Sequence, residues 1–272
     1  MPSKILFMIV CLLIGVMVFI GGCTSTGTSS WEHKFKVLHD FEKEIEIRGK
    51  IFKPEGKGPF PAVVLLHGCG GIISCDYSWA DKLVNWGYVA FIVDSLGPRH
   101  KNNVCNSLEA SPNLIERAID AHGAKSYLKS LSFIVHDKIA VMGWSHGGMA
   151  AANAILPNLA SYTQQKIDPF SACISFYPYC VGPLDFNAPI LVLIGEKDNW
   201  TLAEWCSDVI RAAQKKGLKY EQKLSVYKDA HHRFDCNKFN NKKKGKYIMH
   251  YNSQAEASSI VDVKQFLDKY LK

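Results

Sequence analysis

None of the nine cysteines pairs with another as C-x-x-C, so the chain lacks the closely spaced thiolates from which structural zinc sites are built, and no metal is expected. There is no internal repeat and no low-complexity tract, which excludes solenoids and disordered arrays. Positive charge is in excess, with a formal net charge of +7, but it is not gathered into a basic helix. Nucleic-acid binding therefore gains no support. The one dense run, Lys242, Lys243, Lys244 and Lys246, is mixed with Asn240, Asn241 and Gly245 and reads as a solvated loop. No large extra domain is present to enclose a peptide substrate, which disfavours an oligopeptidase.

What is present suits one α/β domain: 272 residues with 47% hydrophobic composition can bury a single sizeable core. Ahead of it, Lys4 supplies a positive start, Ile5 to Ile20 is apolar, and Gly21-Gly22 places small residues before Cys23. This pattern resembles a bacterial lipoprotein signal peptide. The resemblance implies cleavage before Cys23, lipidation of Cys23, and a domain held by lipid on the extracytoplasmic side of a membrane in the cell envelope. The apolar run is short for a membrane span, which favours cleavage; an uncleaved anchor or a plain secretory signal is the alternative. Thr24 to Ser30 contains only Thr, Ser and Gly, a flexible composition. The expected division is 1–22 signal, 23–40 lipidated cysteine and tether, and 41–272 folded domain.

With Cys11 and Cys23 set aside, an odd number of cysteines remains, so at least one stays unpaired or pairs elsewhere. In an oxidising compartment some of the others are expected to be bridged. Cys180 and Cys206 flank loops at the ends of successive strands and form the preferred pair. A second bridge is expected from Cys105 to either Cys69 or Cys75.

Strands and helices alternate along the rest. Ile45 and Ile47 alternate with Glu44, Glu46 and Arg48 in Phe41 to Phe52, a pattern for an edge strand or hairpin. Ala62 to His67, Tyr88 to Val93, Lys138 to Met142, Ala172 to Tyr177, Ile190 to Ile194 and Tyr220 to Tyr227 read as strands, most of them continuously apolar. Helices are expected over Trp79 to Trp86, from Ser111-Pro112 to Leu131, over Met149 to Leu156, Ala203 to Lys216 and Gln254 to Leu271. Repeated β-then-α units with apolar strands imply a mostly parallel sheet covered on both faces, with its site in the loops at the strands' C-terminal ends.

Gly143-Trp144-Ser145-His146-Gly147 falls where one such strand hands over to a helix. That is the context of a nucleophile elbow, where glycines flanking the serine admit a sharp turn and the helix start directs free N–H groups toward a developing oxyanion. A serine hydroxyl needs a base within reach and an acid to orient that base. Asp198 follows the strand Ile190 to Ile194, with Glu196 as its nearest substitute. Asp229-Ala230-His231-His232 follows the strand ending at Tyr227, and either histidine suits the base. The order Ser, Asp, His is that of an α/β-hydrolase triad. His67-Gly68-Cys69-Gly70-Gly71, after another buried strand, suits an oxyanion loop, with His67 in a structural role.

These motifs, with Asp94-Ser95, Pro98-Arg99, Trp200 and Phe234, resemble the dienelactone hydrolase family from about Phe41 to the C-terminus. The resemblance implies an α/β-hydrolase fold with little or no lid and no cofactor, acting on small esters or lactones. Its Ala-x-His-x-Phe pattern places the catalytic histidine on His232. The enzyme that names the family has a cysteine nucleophile and a glutamate in its oxyanion loop. This chain has Ser145 and no glutamate from Gly68 to Gly71, which argues against dienelactone itself as substrate. The expected site is therefore Ser145, His232 and Asp198, with the N–H groups of Cys69 and His146 as the oxyanion hole. Arg99, His100 and Lys101 form either a solvated loop or a receiver for a substrate carboxylate. The competing readings are a membrane-tethered, non-catalytic binding protein on the same fold and an acyltransferase or peptidase using the same triad. The oligomeric state is not legible in the sequence.

Overall fold

The computed structural model describes residues 33–39, 43–106, 111–163, 167–181 and 185–272. The expected signal segment 1–22, the expected lipidation site Cys23 and the Thr/Ser/Gly stretch lie outside them.

The fold opens with a hairpin. β1 (His33–His39) pairs antiparallel with β2 (Lys43–Phe52), setting Phe35 opposite Ile47 and Val37 opposite Ile45. Phe35, Val37 and Ile47 are buried, while Lys34 and Lys36 meet Glu46 and Glu44 across the exposed face. This alternation makes a strand of part of the stretch 23–40 expected to be tether. It also makes β1, and not β2, the edge.

The elements that follow are β3 (Phe60–Leu66), α1 (Ser74–Asn85), β4 (Val89–Asp94), α2 (Leu114–Lys129), β5 (Ile134–Trp144), α3 (His146–Asn153), α4 (Leu159–Thr163) and β6 (Cys173–Phe176). The chain then continues through β7 (Ile190–Gly195), α5 (Ala203–Lys216), β8 (Gln222–Tyr227), β9 (Lys242–Lys244), β10 (Tyr247–Met249) and α6 (Ser253–Leu271). The main sheet has eight strands in the order β1-β2-β4-β3-β5-β6-β7-β8, parallel from β4 to β8. Every residue of β4, β6 and β7 is buried. Strands buried on both faces require helices on both faces.

Two local expectations shift. Helix α2 starts at Leu114, not at Ser111-Pro112, because Asn113 and Glu116 form a reciprocal cap. Asn113 Oδ1 accepts from the N–H groups of Ile115 and Glu116 at 3.0 Å each, and Glu116 Oε2 accepts from Asn113 N–H at 2.8 Å. The lysine run forms a β9–β10 hairpin where a loop was expected, with Lys242, Lys243 and Lys246 exposed to solvent as expected. Asn199 organises it, donating from Nδ2 to Lys246 O at 2.8 Å and accepting from Ile248 N–H at 2.9 Å. Lys244 Nζ lies 5.3 Å from the Trp200 ring centre, an attractive cation–aromatic contact.

Among the described residues three disulfides are present: Cys180–Cys206 as expected, Cys69–Cys105 as one of the two alternatives for Cys105, and Cys75–Cys236. The last was not anticipated, because its partners are 161 residues apart and spacing cannot pair them. Among the described residues Cys173 is free and buried on β6.

Candidate active site

Ser145 sits between β5 and α3 with φ 54° and ψ −116°, a strained backbone for a residue with a Cβ. The flanking glycines serve close approach. A Cβ on Gly147 would lie 2.0 Å from Leu66 O of β3, and one on Gly143 would lie 2.2 Å from Gly147 O. The elbow is thus pressed against the neighbouring strand and against itself, and only glycine fits.

The parallel strands deliver the other two residues to the same end of the sheet. Ser145 Oγ lies 3.0 Å from His232 Nε2, and His232 Nδ1 lies 2.7 Å from Asp198 Oδ2. The carboxylate can only accept, so Nδ1 carries the proton and Nε2 is left to accept from the serine hydroxyl. Asp198 Oδ1 accepts from the N–H groups of Trp200 and Thr201, and its Oδ2 also accepts from Thr201 Oγ1, each at 2.9 Å. Burial pushes the Asp198 carboxyl upward in pKa, but the His232 ring and these N–H groups outweigh it and hold the group below its ordinary value. It is therefore both the turn cap and the partner of His232. Tyr177 and Trp200 flank the His232 ring at centroid distances of 4.5 and 5.0 Å.

A buried carboxylate that sequence reasoning missed holds this assembly together. Asp235 accepts from Trp79 Nε1 and Trp144 Nε1 at 2.9 Å each and from Tyr177 Oη at 2.8 Å. Its donors stand 58, 91 and 156 residues away along the chain, so the neighbouring Phe234 is the local signal, and it reads equally well as ordinary core. Arg233, buried and with φ 63°, packs its guanidinium over Tyr177 and Phe239.

A second buried group, Arg117 of α2, joins the two candidate limbs of the oxyanion hole. Its Nη1 donates to His146 Nδ1 at 2.7 Å and its Nη2 donates to His67 O at 2.6 Å. Burial, then the Arg117 charge, lowers the His146 pKa to about 3, and burial lowers that of Arg117 to about 10. His146 is neutral, with its proton on Nε2. His67 is fully buried and donates from Nδ1 to Gly68 O at 2.7 Å, a structural role as expected. Cys69, whose carbonyl accepts from Val104 N–H at 2.9 Å and whose sulfur is bridged to Cys105, has its backbone pinned from the far side.

A cleft of about 300 Å³ exposes Ser145 together with Cys69, His146, Trp200, Thr201 and Tyr247. Both candidate oxyanion donors therefore border the same space as the hydroxyl. Glu196 is exposed and accepts from Asp229 N–H, so it does not stand in for Asp198. His231 faces His250. Arg99 does not receive a substrate carboxylate. It makes a paired contact with Asp120, 2.9 Å from each oxygen, and its side chain is 7% exposed. A nearby internal carboxylate has taken the guanidinium.

A model of the dienelactone hydrolase family matches residues 47–271. A protein from a Bradyrhizobium species named probable 2-oxo-3-(5-oxofuran-2-ylidene)propanoate lactonase is 26% identical over 203 residues, covering 68% of this chain and 77% of that protein. A dienelactone hydrolase-like promiscuous phosphotriesterase from metagenomic libraries superposes with a TM-score of 0.69 at 18% identity, covering 88% of this chain and 98% of its own. Esterase 2 of Thermogutta terrifontis does so with a TM-score of 0.62 at 19% identity, covering 90% and 98%. At such identities these structures establish the shared fold.

Proposed function

This chain belongs to the dienelactone hydrolase family, and from that premise we propose that Ser145, His232 and Asp198 hydrolyse small carboxylic esters or lactones through an acyl-enzyme. The observation that carries the reading is the unbroken relay from Ser145 Oγ to His232 Nε2 at 3.0 Å and from His232 Nδ1 to Asp198 at 2.7 Å. No metal or cofactor enters the scheme.

Ser145 Oγ attacks the acyl carbon while His232 Nε2 takes its proton, and Asp198 stabilises the imidazolium that results. The carbonyl oxygen, now an anion, is received by the N–H groups of His146 and Cys69. Collapse of the tetrahedral intermediate breaks the bond to the alkoxide, which leaves with the proton from His232. A water then attacks the acyl-enzyme, giving its proton to His232, and the acid departs as Ser145 regains its hydroxyl. The lactonase name of the Bradyrhizobium relative supports lactones within the substrate range.

Ser145→Ala is expected to remove nearly all turnover of p-nitrophenyl acetate, and equal rates for wild type and variant would end the assignment. Labelling of Ser145 by a fluorophosphonate separates this reading from a non-catalytic binding role.

We further propose that the protein is a lipid-anchored resident of the cell envelope. The Met1 to Cys23 pattern supports this, and three disulfides suit an oxidising space. Mass spectrometry of the membrane fraction is expected to find a lipid-modified N-terminal Cys23. A free Met1 would dispose of the anchor.

A further inference from the structure

A second cavity of about 300 Å³ adjoins the catalytic cleft, and Met149 and Tyr179 belong to the walls of both. Met149 lies one helical turn beyond the nucleophile, its N–H donating to Ser145 O at 2.9 Å. The inner wall is apolar, formed by Ala152, Leu156, Phe186, Val192 and Ile210 among others. Its polar side chains are engaged elsewhere: Ser175 Oγ donates to Gly148 O and Asn153 Nδ2 donates to Met149 O, both at 2.8 Å. Among the described residues no charged side chain and no histidine lines it. Nothing in it would repay the dehydration of a charged or strongly polar substituent.

The mouth is unusual in what it leaves in water. Tyr179 and Val181 are 36% and 66% exposed, and the Cys180–Cys206 bridge fastens the segment between them to α5. Adjacent exposed apolar side chains at the rim of an apolar cavity mark a binding surface. Trp200 and Thr201, which surround His232, border the first cleft only. The leaving group must stay on that side to receive the proton from His232, so the acyl group points the other way, toward Met149. Methionine is flexible enough to move aside for it.

We propose that this cavity is an acyl-chain subsite, and that the preferred substrates are esters or lactones whose acyl part carries an uncharged aliphatic chain longer than acetyl. The proposal rests on the reading of Ser145 as nucleophile. Burial of each methylene stabilises the bound chain by about 0.8 kcal/mol, about a fourfold gain in kcat/KM.

The test uses the full chain and p-nitrophenyl acetate, butanoate and hexanoate. kcat/KM is expected to rise about fourfold per added methylene. Val209→Trp, from α5, and Ala152→Phe, from α3, should each fill the cavity and bring the hexanoate-to-acetate ratio toward one. Val261→Ala, on an exposed part of α6, should keep the wild-type ratio. A flat series in an enzyme that turns over acetate overturns the subsite and leaves the hydrolase standing. A chain-length gain confined to acetates of longer alcohols also overturns it, since the cavity would then take the leaving group. Calorimetry on Ser145→Ala reads the cavity without turnover: tighter binding of hexanoate than acetate supports it, and equal binding overturns it. Absence of turnover on every ester by the wild type counts separately against the hydrolase reading.

Discussion

Trp144 Nε1 donates to Asp235 Oδ2 at 2.9 Å, which joins the residue before Ser145 to a carboxylate in the loop that carries His232. The same carboxylate also holds Trp79 and Tyr177. It acts as a buried rivet beneath Ser145 and His232, and its three donors lose this acceptor together when it is removed.

Asp235→Ala is therefore expected to destabilise the protein by about 3–5 kcal/mol, the range for breaking a buried charged cluster from one side. Urea unfolding measures this. Activity should fall at temperatures where the variant is still folded, because Tyr177 packs on His232. A change below about 1 kcal/mol would show that the cluster is held by packing alone.

Asp198→Asn is expected to lower kcat by roughly 10⁴ with little change in folding. The N–H groups of Trp200 and Thr201 both point at Oδ1, so the amide oxygen of asparagine takes that place. Its NH₂ then faces His232 Nδ1 and forces the other tautomer, with a proton on Nε2 where the serine hydroxyl must donate. Steady-state kinetics on p-nitrophenyl acetate checks it.

Acid should weaken the fold through His146. Its pKa is about 3 in the folded protein, against an ordinary histidine value of about 6.5 in the unfolded chain. Between these values the unfolded chain binds the proton and the folded protein does not, so stability falls as the pH drops from 6.5 toward 3. From pH 7 to pH 5 the loss through this group is about 2 kcal/mol. His146→Asn should flatten that part of the pH dependence in urea unfolding at the two pH values.

Non-reducing peptide mapping is expected to recover Cys69–Cys105, Cys75–Cys236 and Cys180–Cys206, with Cys173 as a thiol that reacts only after unfolding. Of the three bridges, Cys75–Cys236 spans the longest separation, 161 residues. Replacing both of its cysteines with serine should cost more stability than the same change at Cys180 and Cys206, with their separation of 26.

The parallel sheet and the elbow were legible because they rest on local rules. A run such as Ala62-Val63-Val64-Leu65-Leu66 can be a strand only if it is buried on both faces, and Gly-x-Ser-x-Gly between strand and helix leaves the hydroxyl little choice of place. The same locality misled where a nearer partner outbid the pattern. Asn113 took the cap from Ser111, Asp120 took Arg99, and Asn199 with Trp200 turned a lysine run into a hairpin.

The sequence by itself determined the alternating architecture and the residue types of the triad, because period, turn chemistry and chain order are properties of neighbouring residues. The family pattern already points to His232; only the tertiary structure decided the geometry that brings it to Ser145 and turns His231 to His250, that Cys75 meets Cys236, and that Asp235 and Arg117 lock the site from behind. Those partners are brought together across the sheet from distant parts of the chain, and a buried donor finds its acceptor in space, where sequence distance carries no information.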